Sequence, residues 1–258
     1  MCVMAISWQN HEQFPFVILA NRDEFYSRPA RAMSWWASAP DILAGQDELK
    51  NGTWFGVNEN GRWAVVTNFR DPADKNSYEL SRGLLVRDFL YDKRTVHEYA
   101  SALITQKHRY AKFNLIFGDL QQAIYVSSEL DELTTLQRGL YSLSNATLHD
   151  DWHKTTRLKK KLEQLLAEND FSFESAFSAL EDRSHPEHDS QVQRTGLPIE
   201  VERALSPVFV ALDGYGTRAS TVMLADSSGK IQIAEKSFLD GKELKTVHHE
   251  FRVSNSTQ

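Results

Sequence analysis

The chain has 258 residues, 41% hydrophobic and 25% charged, with a formal net charge of -6 and one cysteine. A chain of this length buries most of its unfolded surface without staples, and one cysteine excludes an internal disulfide and a multi-thiolate zinc site. The acidic balance argues against a nucleic-acid partner, and no stretch approaches the roughly 20 apolar residues of a membrane span, so no integral membrane segment is expected.

The N-terminus has no basic region leading into a sustained apolar run, which points away from a secretory signal and toward a cytoplasmic setting. Residues 2–8 (CVMAISW) and 16–21 (FVILAN), joined by a short polar segment, predict a β-hairpin whose second strand ends at Asn21. Residues 21–50 read as polar and aromatic loop. Residues 51–69 predict a second hairpin about Glu59-Asn60-Gly61, because Asn-Gly readily supplies positive φ. Residues 79–91 follow a helical period, with Leu80, Leu84, Leu85 and Phe89 on one face and Ser77 as N-cap. A second helix is expected over 95–104, a third hairpin over 113–128, and a short strand with its turn over 141–146. Residues 151–166 form a long amphipathic pattern and 171–180 a short helix, followed by a polar loop over 181–198. Four further strands are expected at 207–212, 217–225, 230–238 and 246–254.

No tandem repeat or Pro/Gly linker divides the sequence, so residues 1–258 read as a single domain. Hairpins alternating with pairs of helices fit two mostly antiparallel sheets covered by helices, an α+β fold, better than a βαβ arrangement. Neither GxGxxG nor GxxxxGK[ST] is present, which removes the usual support for a nucleotide fold.

Cys2 is the first candidate for chemistry. Removal of Met1 would leave its thiol beside a free α-amine of pKa near ~8, a base able to take the thiol proton at neutral pH. The plainer alternative is a small buried residue at the start of a strand. Asn21-Arg22-Asp23-Glu24 follow the apolar run FVILA, and antiparallel pairing brings this cluster beside Cys2. Asp23 could orient the α-amine and Arg22 could stabilise a thiolate or an oxyanion. The same cluster also reads as a capped turn with surface ion pairs. Asn68, Asn145 and Arg218 lie where strands meet loops. Each suits an oxyanion or a substrate polar group, and each equally suits loop structure. The histidines His149, His153, His248 and His249 lack zinc-ligand spacing, and no metal or cofactor is expected. Trp35, Trp36, Trp54, Trp63 and Trp152 could line an apolar pocket or fill the core. The basic run at 154–161 (KTTRLKKK) reads as a solvated helix face.

The opening MCxxxxxW, ILANRDEFYSRP (18–29), NGTWFGVNENGRWAVVTNFR (51–70), YSLSNA (141–146) and GTRASTV (216–222) together resemble the NRDE family, whose eukaryotic members are called transport and Golgi organisation protein 2. The resemblance spans essentially the whole chain. The family is similar to N-terminal-nucleophile hydrolases of the cysteine subgroup, such as penicillin V acylases and bile-salt hydrolases. That resemblance implies a four-layer αββα sandwich, with Cys2, Arg22, Asp23, Asn68, Asn145 and Arg218 as site residues. The subgroup carries its Arg directly before Asn-x-Asp, where this chain has Ala20. The implied function is an amidohydrolase acting on a small-molecule, non-peptide amide through an N-terminal cysteine. The alternative is a non-enzymatic carrier or chaperone for haem or another hydrophobic ligand, linked to haem trafficking. Homo-oligomerisation is left open.

Overall fold

Strand alternation in the first hairpin sets the frame. In the computed structural model, which describes residues 2–148, 150–168 and 171–254, β1 (Cys2–Trp8) pairs antiparallel with β2 (Phe16–Phe25). Then come β3 (Ala30–Trp36), β4 (Ala39–Asp47), β5 (Phe55–Asn58) and β6 (Trp63–Asn68). Helices α1 (Gly83–Tyr91) and α2 (Val96–Gln106) lead to β7 (Phe113–Gly118), β8 (Ala123–Ser127), β9 (Thr134–Thr135) and β10 (Gly139–Leu143). The last third holds α3 (His153–Ala167), α4 (Phe173–Leu180), α5 (Ile199–Ala204), β11 (Ala211–Leu212), β12 (Tyr215–Ala225), β13 (Lys230–Leu239) and β14 (Lys242–Arg252). One sheet runs β10-β1-β2-β12-β13-β14, with β11 on β12, and the other runs β3 to β9 in chain order. All pairings between these strands are antiparallel.

Period-two alternation gives each sheet two apolar faces and hence four layers. Met4, Ile6, Phe16, Ile18, Trp63, Val65, Ile116 and Met223 fill the space between the sheets. Val3, Ala5, Val17 and Leu19 point the other way, against Leu158 and Leu162 of α3 and Phe177 of α4. On the second sheet Ala44, Val66 and Phe117 pack on Leu85 and Phe89 of α1 and Leu103 of α2. The αββα sandwich expected from the resemblance is the observed fold. Thr95 caps α2 through a box with Glu98, which fixes where that helix starts. No helix among the described residues is long and apolar enough to cross a membrane.

Several elements differ from expectation. Residues 21–50 are not loop: β2 continues to Phe25, and β3 and β4 occupy most of the remainder. Only Met33 and Trp36 of β3 are buried, and its pairing with β4 shifts register twice, so the strand shows no regular alternation to read. Helix α1 starts at Gly83, because Leu80 is held in a bridge to Tyr110, and Ser77 is not its cap. Of residues 207–212 only Ala211 and Leu212 join the ladder. Upstream, the Val208 carbonyl accepts from Asn21 Nδ2 (2.9 Å), Phe209 N–H donates to Asp182 O (2.9 Å), and Val210 N–H donates to Thr217 Oγ1 (3.0 Å). Those backbone groups are satisfied without a strand partner. Helix α5 and strand β9 were not expected at all. The basic run is not uniformly solvated either, since Lys154 is fully buried while Lys160 and Lys161 are exposed. His149 and Met1 lie outside the described residues.

Candidate active site

The register of the first hairpin sets Cys2 opposite Arg22 and Met4 opposite Ala20. Positions 20 and 22 share a face of β2, so Arg22 occupies the same side as Ala20 two residues further along. Its guanidinium lies 4.3 Å above the centre of the Trp54 ring, and its Nη2 is 3.4 Å from Asp47 Oδ2. Gly45 is required beneath that ring, since a Cβ there would overlap Trp54. Arg28 reaches the same Asp47 oxygen at 2.5 Å. Asp47 therefore anchors both arginines, and its other oxygen accepts from the Leu49 and Lys50 N–H groups (3.1 and 3.0 Å).

Cys2, Arg22, Asp23 and Asn68 line one cleft of about 100 Å³, together with Glu24, Arg28, Asp47, Trp54 and Arg82. Burial pushes the Cys2 thiol up in pKa. The Asp23 charge adds to that rise, while Arg22 and a hydrogen bond from the Asp23 backbone oppose it. Cys2 as a residue is half-buried, so its thiol is desolvated at the floor of an open cleft. Burial likewise lowers Arg22, against the pull of Glu24, Cys2 and Asp47, and lowers Arg82, against Cys2 and Glu24. A donor-rich, partly dry cleft of this kind can hold a thiolate or an oxyanion. It is small beside the roughly 300–1,000 Å³ of drug-sized ligand sites, and its mainly polar lining lends no support to a haem or hydrophobic-ligand carrier.

The neighbours of Arg22 face the other way. Asn21 donates through Nδ2 to the Leu180 and Val208 carbonyls (2.8 and 2.9 Å) and accepts from Ser220 Oγ (2.6 Å), so it ties β2 to the ends of outer elements. Asp23 accepts from Thr217 Oγ1 at 2.8 Å, and its Oδ2 lies 3.8 Å from the Lys154 ammonium, both side chains fully buried. Burial pushes Lys154 down to about 8, with the Asp23 charge opposing. Next to them Arg70 pairs with Glu202 at 2.7 Å and lies over Trp152.

Asn68 ends β6 at the cleft. Asn145 is fully buried behind it and donates through Nδ2 to the Asn68 carbonyl at 2.7 Å. Ser144 ties this segment to β1 by donating to the Cys2 carbonyl at 2.7 Å. Arg218 is not brought into the cleft. It is the extra residue of a bulge between Thr217 and Ala219, and its Nη1 donates to the Phe25, Tyr26 and Arg28 carbonyls at 3.0 Å each. Sequence reasoning missed Asp47, Arg28, Arg82, Trp54 as an Arg22 platform, and Lys154. Only Lys154 carried a signal: it lies four residues before Leu158 and eight before Leu162, on the apolar stripe of α3.

Two antiparallel sheets between helical layers, with a cysteine heading a central strand, define a fold of the N-terminal-nucleophile hydrolase type. The solved structure of a Caenorhabditis elegans N-acylethanolamine-hydrolyzing acid amidase ortholog superposes with a TM-score of 0.50 at 14% identity, over 86% of this chain and 92% of that one. The C2A mutant of conjugated bile acid hydrolase from Clostridium perfringens gives 0.52 at 9% identity, over 98% and 97%. At such identities the likeness is one of fold. Sequence relatives are nearer. The family model described as Transport and Golgi organisation 2 matches residues 1–240. The Transport and Golgi organization protein 2 homolog of Bos taurus is 30% identical over 99% of this chain and 100% of its own length, and the Homo sapiens homolog 30% over 93% and 94%. This chain belongs to the Transport and Golgi organisation 2 family.

Proposed function

We propose that the chain hydrolyses a non-peptide amide through Cys2, acting as an N-terminal nucleophile once Met1 is removed. The observation that carries this reading is the strand register that sets Cys2 opposite Arg22 within one polar cleft. The fold shared with an acid amidase ortholog and a bile acid hydrolase supports it.

In this scheme the freed α-amine of Cys2 takes the thiol proton, and the sulfur attacks the amide carbon. Electrons move to the carbonyl oxygen, which accepts from the Asn68 side-chain amide, while Arg22 offsets the developing charge. Asn145 serves as a positioning residue, holding Asn68 by its carbonyl. Collapse breaks the C–N bond, and the ammonium returns its proton to the departing amine. Water, deprotonated by the same amine, then splits the thioester and frees the acid. Asp23 orients the amine. Arg218 holds the 25–28 turn and has no step assigned to it.

The test uses protein whose intact mass lacks Met1, incubated with a panel of N-acyl amides. An acyl-thioester adduct and turnover that vanish in Cys2→Ala, with the fold retained, are the expected results. Full activity in protein that keeps Met1 would sink the scheme.

A further inference from the structure

Lys154 stands out among buried groups because no step above uses it. It enters from the first turn of α3, has no exposed surface, and its Nζ finds no hydrogen-bond partner among the described residues. What compensates its charge is Asp23 Oδ2 at 3.8 Å. Burying an ammonium in the layer between sheet and helix is unfavourable, and a leucine at this point of the 158, 162, 166 stripe would pack there without charge. The fold instead places a cation behind a carboxylate that adjoins Cys2.

We propose that Lys154 is a positioning residue for Cys2 that acts through Asp23. Its ammonium offsets the Asp23 charge and holds that carboxylate turned toward the helix, and so limits how strongly it opposes the Cys2 thiolate. The inference rests on the reading of Cys2 as the nucleophile, yet it is read on the thiol alone, without substrate.

Asp23 meets Thr217 from β12 and has Tyr215 beside its carbonyl (3.2 Å). Arg70, itself paired to Glu202 of α5, is the nearby cation that opposes protonation of Lys154. Cys2 faces Asp23 and Arg22 on β2 and Arg82 across the cleft. A negative Asp23 disfavours the thiolate, so removing the cation that compensates it raises the thiol pKa. Burial and Arg70 displace Lys154 downward, and Asp23 is the larger of the two groups that oppose this, the other being Cys2.

Because the chain has a single cysteine, iodoacetamide labelling followed by intact mass reports Cys2 alone. Alkylation rates from pH 6 to 10 are measured on the full chain, in one N-terminal state, for wild type, Lys154→Met, Lys154→Gln, Asp23→Asn and Asp23→Asn/Lys154→Met. Lys154→Met and Lys154→Gln are expected to slow alkylation about tenfold at pH 7, with the profile converging on wild type above about pH 8, where Lys154 itself has lost its proton. Asp23→Asn moves the profile down. The double variant then coincides with Asp23→Asn, because a buried ammonium without its carboxylate sheds its proton and carries no charge to lose. Lys154→Gln keeps a polar side chain at this point, so it keeps the test open if Lys154→Met unfolds. A purely structural lysine would lower the unfolding midpoint and leave the profile in place. A folded lysine variant with the wild-type profile overturns the proposal, and so does a double variant slowed relative to Asp23→Asn as much as Lys154→Met is relative to wild type. If the profile moves as expected while no amide yields a thioester, the positioning role stands and the hydrolase reading fails.

Discussion

Glu235 on β13 gives the sharpest stability test. It is fully buried, with Oε1 accepting from the Met33 N–H at 2.7 Å and Oε2 from the Thr221 hydroxyl at 3.2 Å. Burial pushes its carboxyl from 4.5 to about 7, while those two bonds and the Arg22 charge oppose the rise. Between these values the folded chain holds a proton that the unfolded chain has released. Folding stability from this group is therefore complete below pH 4.5 and lost as pH rises through about 7. At roughly 1.4 kcal/mol per pH unit, the gap is worth about 3 kcal/mol, most of it between pH 5 and 8. Glu235→Gln retains an acceptor for the Met33 N–H and removes the titration. Urea unfolding of both proteins at half-unit pH steps isolates the effect, since every other carboxylate is common to the pair. The wild type should lose about 3 kcal/mol relative to Glu235→Gln across that range, at unchanged m. Parallel stability curves would refute the assignment of a proton to buried Glu235.

Glu202→Ala removes the 2.7 Å partner of Arg70 and the acceptor of Thr195 N–H and Oγ1. A loss of about 3–5 kcal/mol is expected in urea unfolding, and a loss below about 1 kcal/mol would count against a tight pair. Arg218→Met frees the three carbonyls of the 25–28 turn and should lower stability by about 2 kcal/mol. Its Cys2 alkylation profile should match wild type, and a moved profile would return Arg218 to the site.

Sequence pattern carried the parts of this fold where one periodicity runs unbroken. β1, the first half of β2, β7, β8, β12 and β13 alternate or run apolar, α3 shows its apolar stripe, and α2 begins at the Thr95 cap. The pattern failed where burial did not follow the pleat. β3 presents Arg31, Ser34 and Trp35 to solvent and shifts its register twice, so a half-exposed edge strand looks like loop. Residues 207–210 failed in the opposite sense: they are apolar and buried, yet their amides and carbonyls serve Asn21, Asp182 and Thr217. Antiparallel pairing alone was enough to expect Cys2 beside Asn21 to Asp23. It could not show that the strand runs on to Phe25, which places these side chains inside the sheet instead of at its rim. Asp47 and Arg82 were illegible because their relevance depends on how the second sheet and the segment before α1 close over the cleft. No local spacing encodes that approach.

The strand continuation also explains how three adjacent polar residues are tolerated in a buried strand. Consecutive side chains on β2 leave by opposite faces, so Asn21 and Asp23 enter the helix layer while Arg22 enters the space between the sheets. Each then has a dedicated partner: backbone carbonyls for Asn21, Trp54 and Asp47 for Arg22, Thr217 and Lys154 for Asp23. A slip of one residue would drive the guanidinium into the apolar packing of α3 and α4 and set Asn21 opposite Cys2. Long pairing with both β1 and β12 prevents that slip, and the bulge at Arg218 lets Thr217 meet Asp23 while Ala219 pairs with Arg22. Apolar residues of similar volume would make a strand at least as stable. A fold that instead spends β2 on three register-locked polar side chains beside its only cysteine has the local conflict expected of a site. That conflict is centred on Arg22, Asp23 and Lys154, and it is their variants, more than those of the core, that decide what Cys2 does.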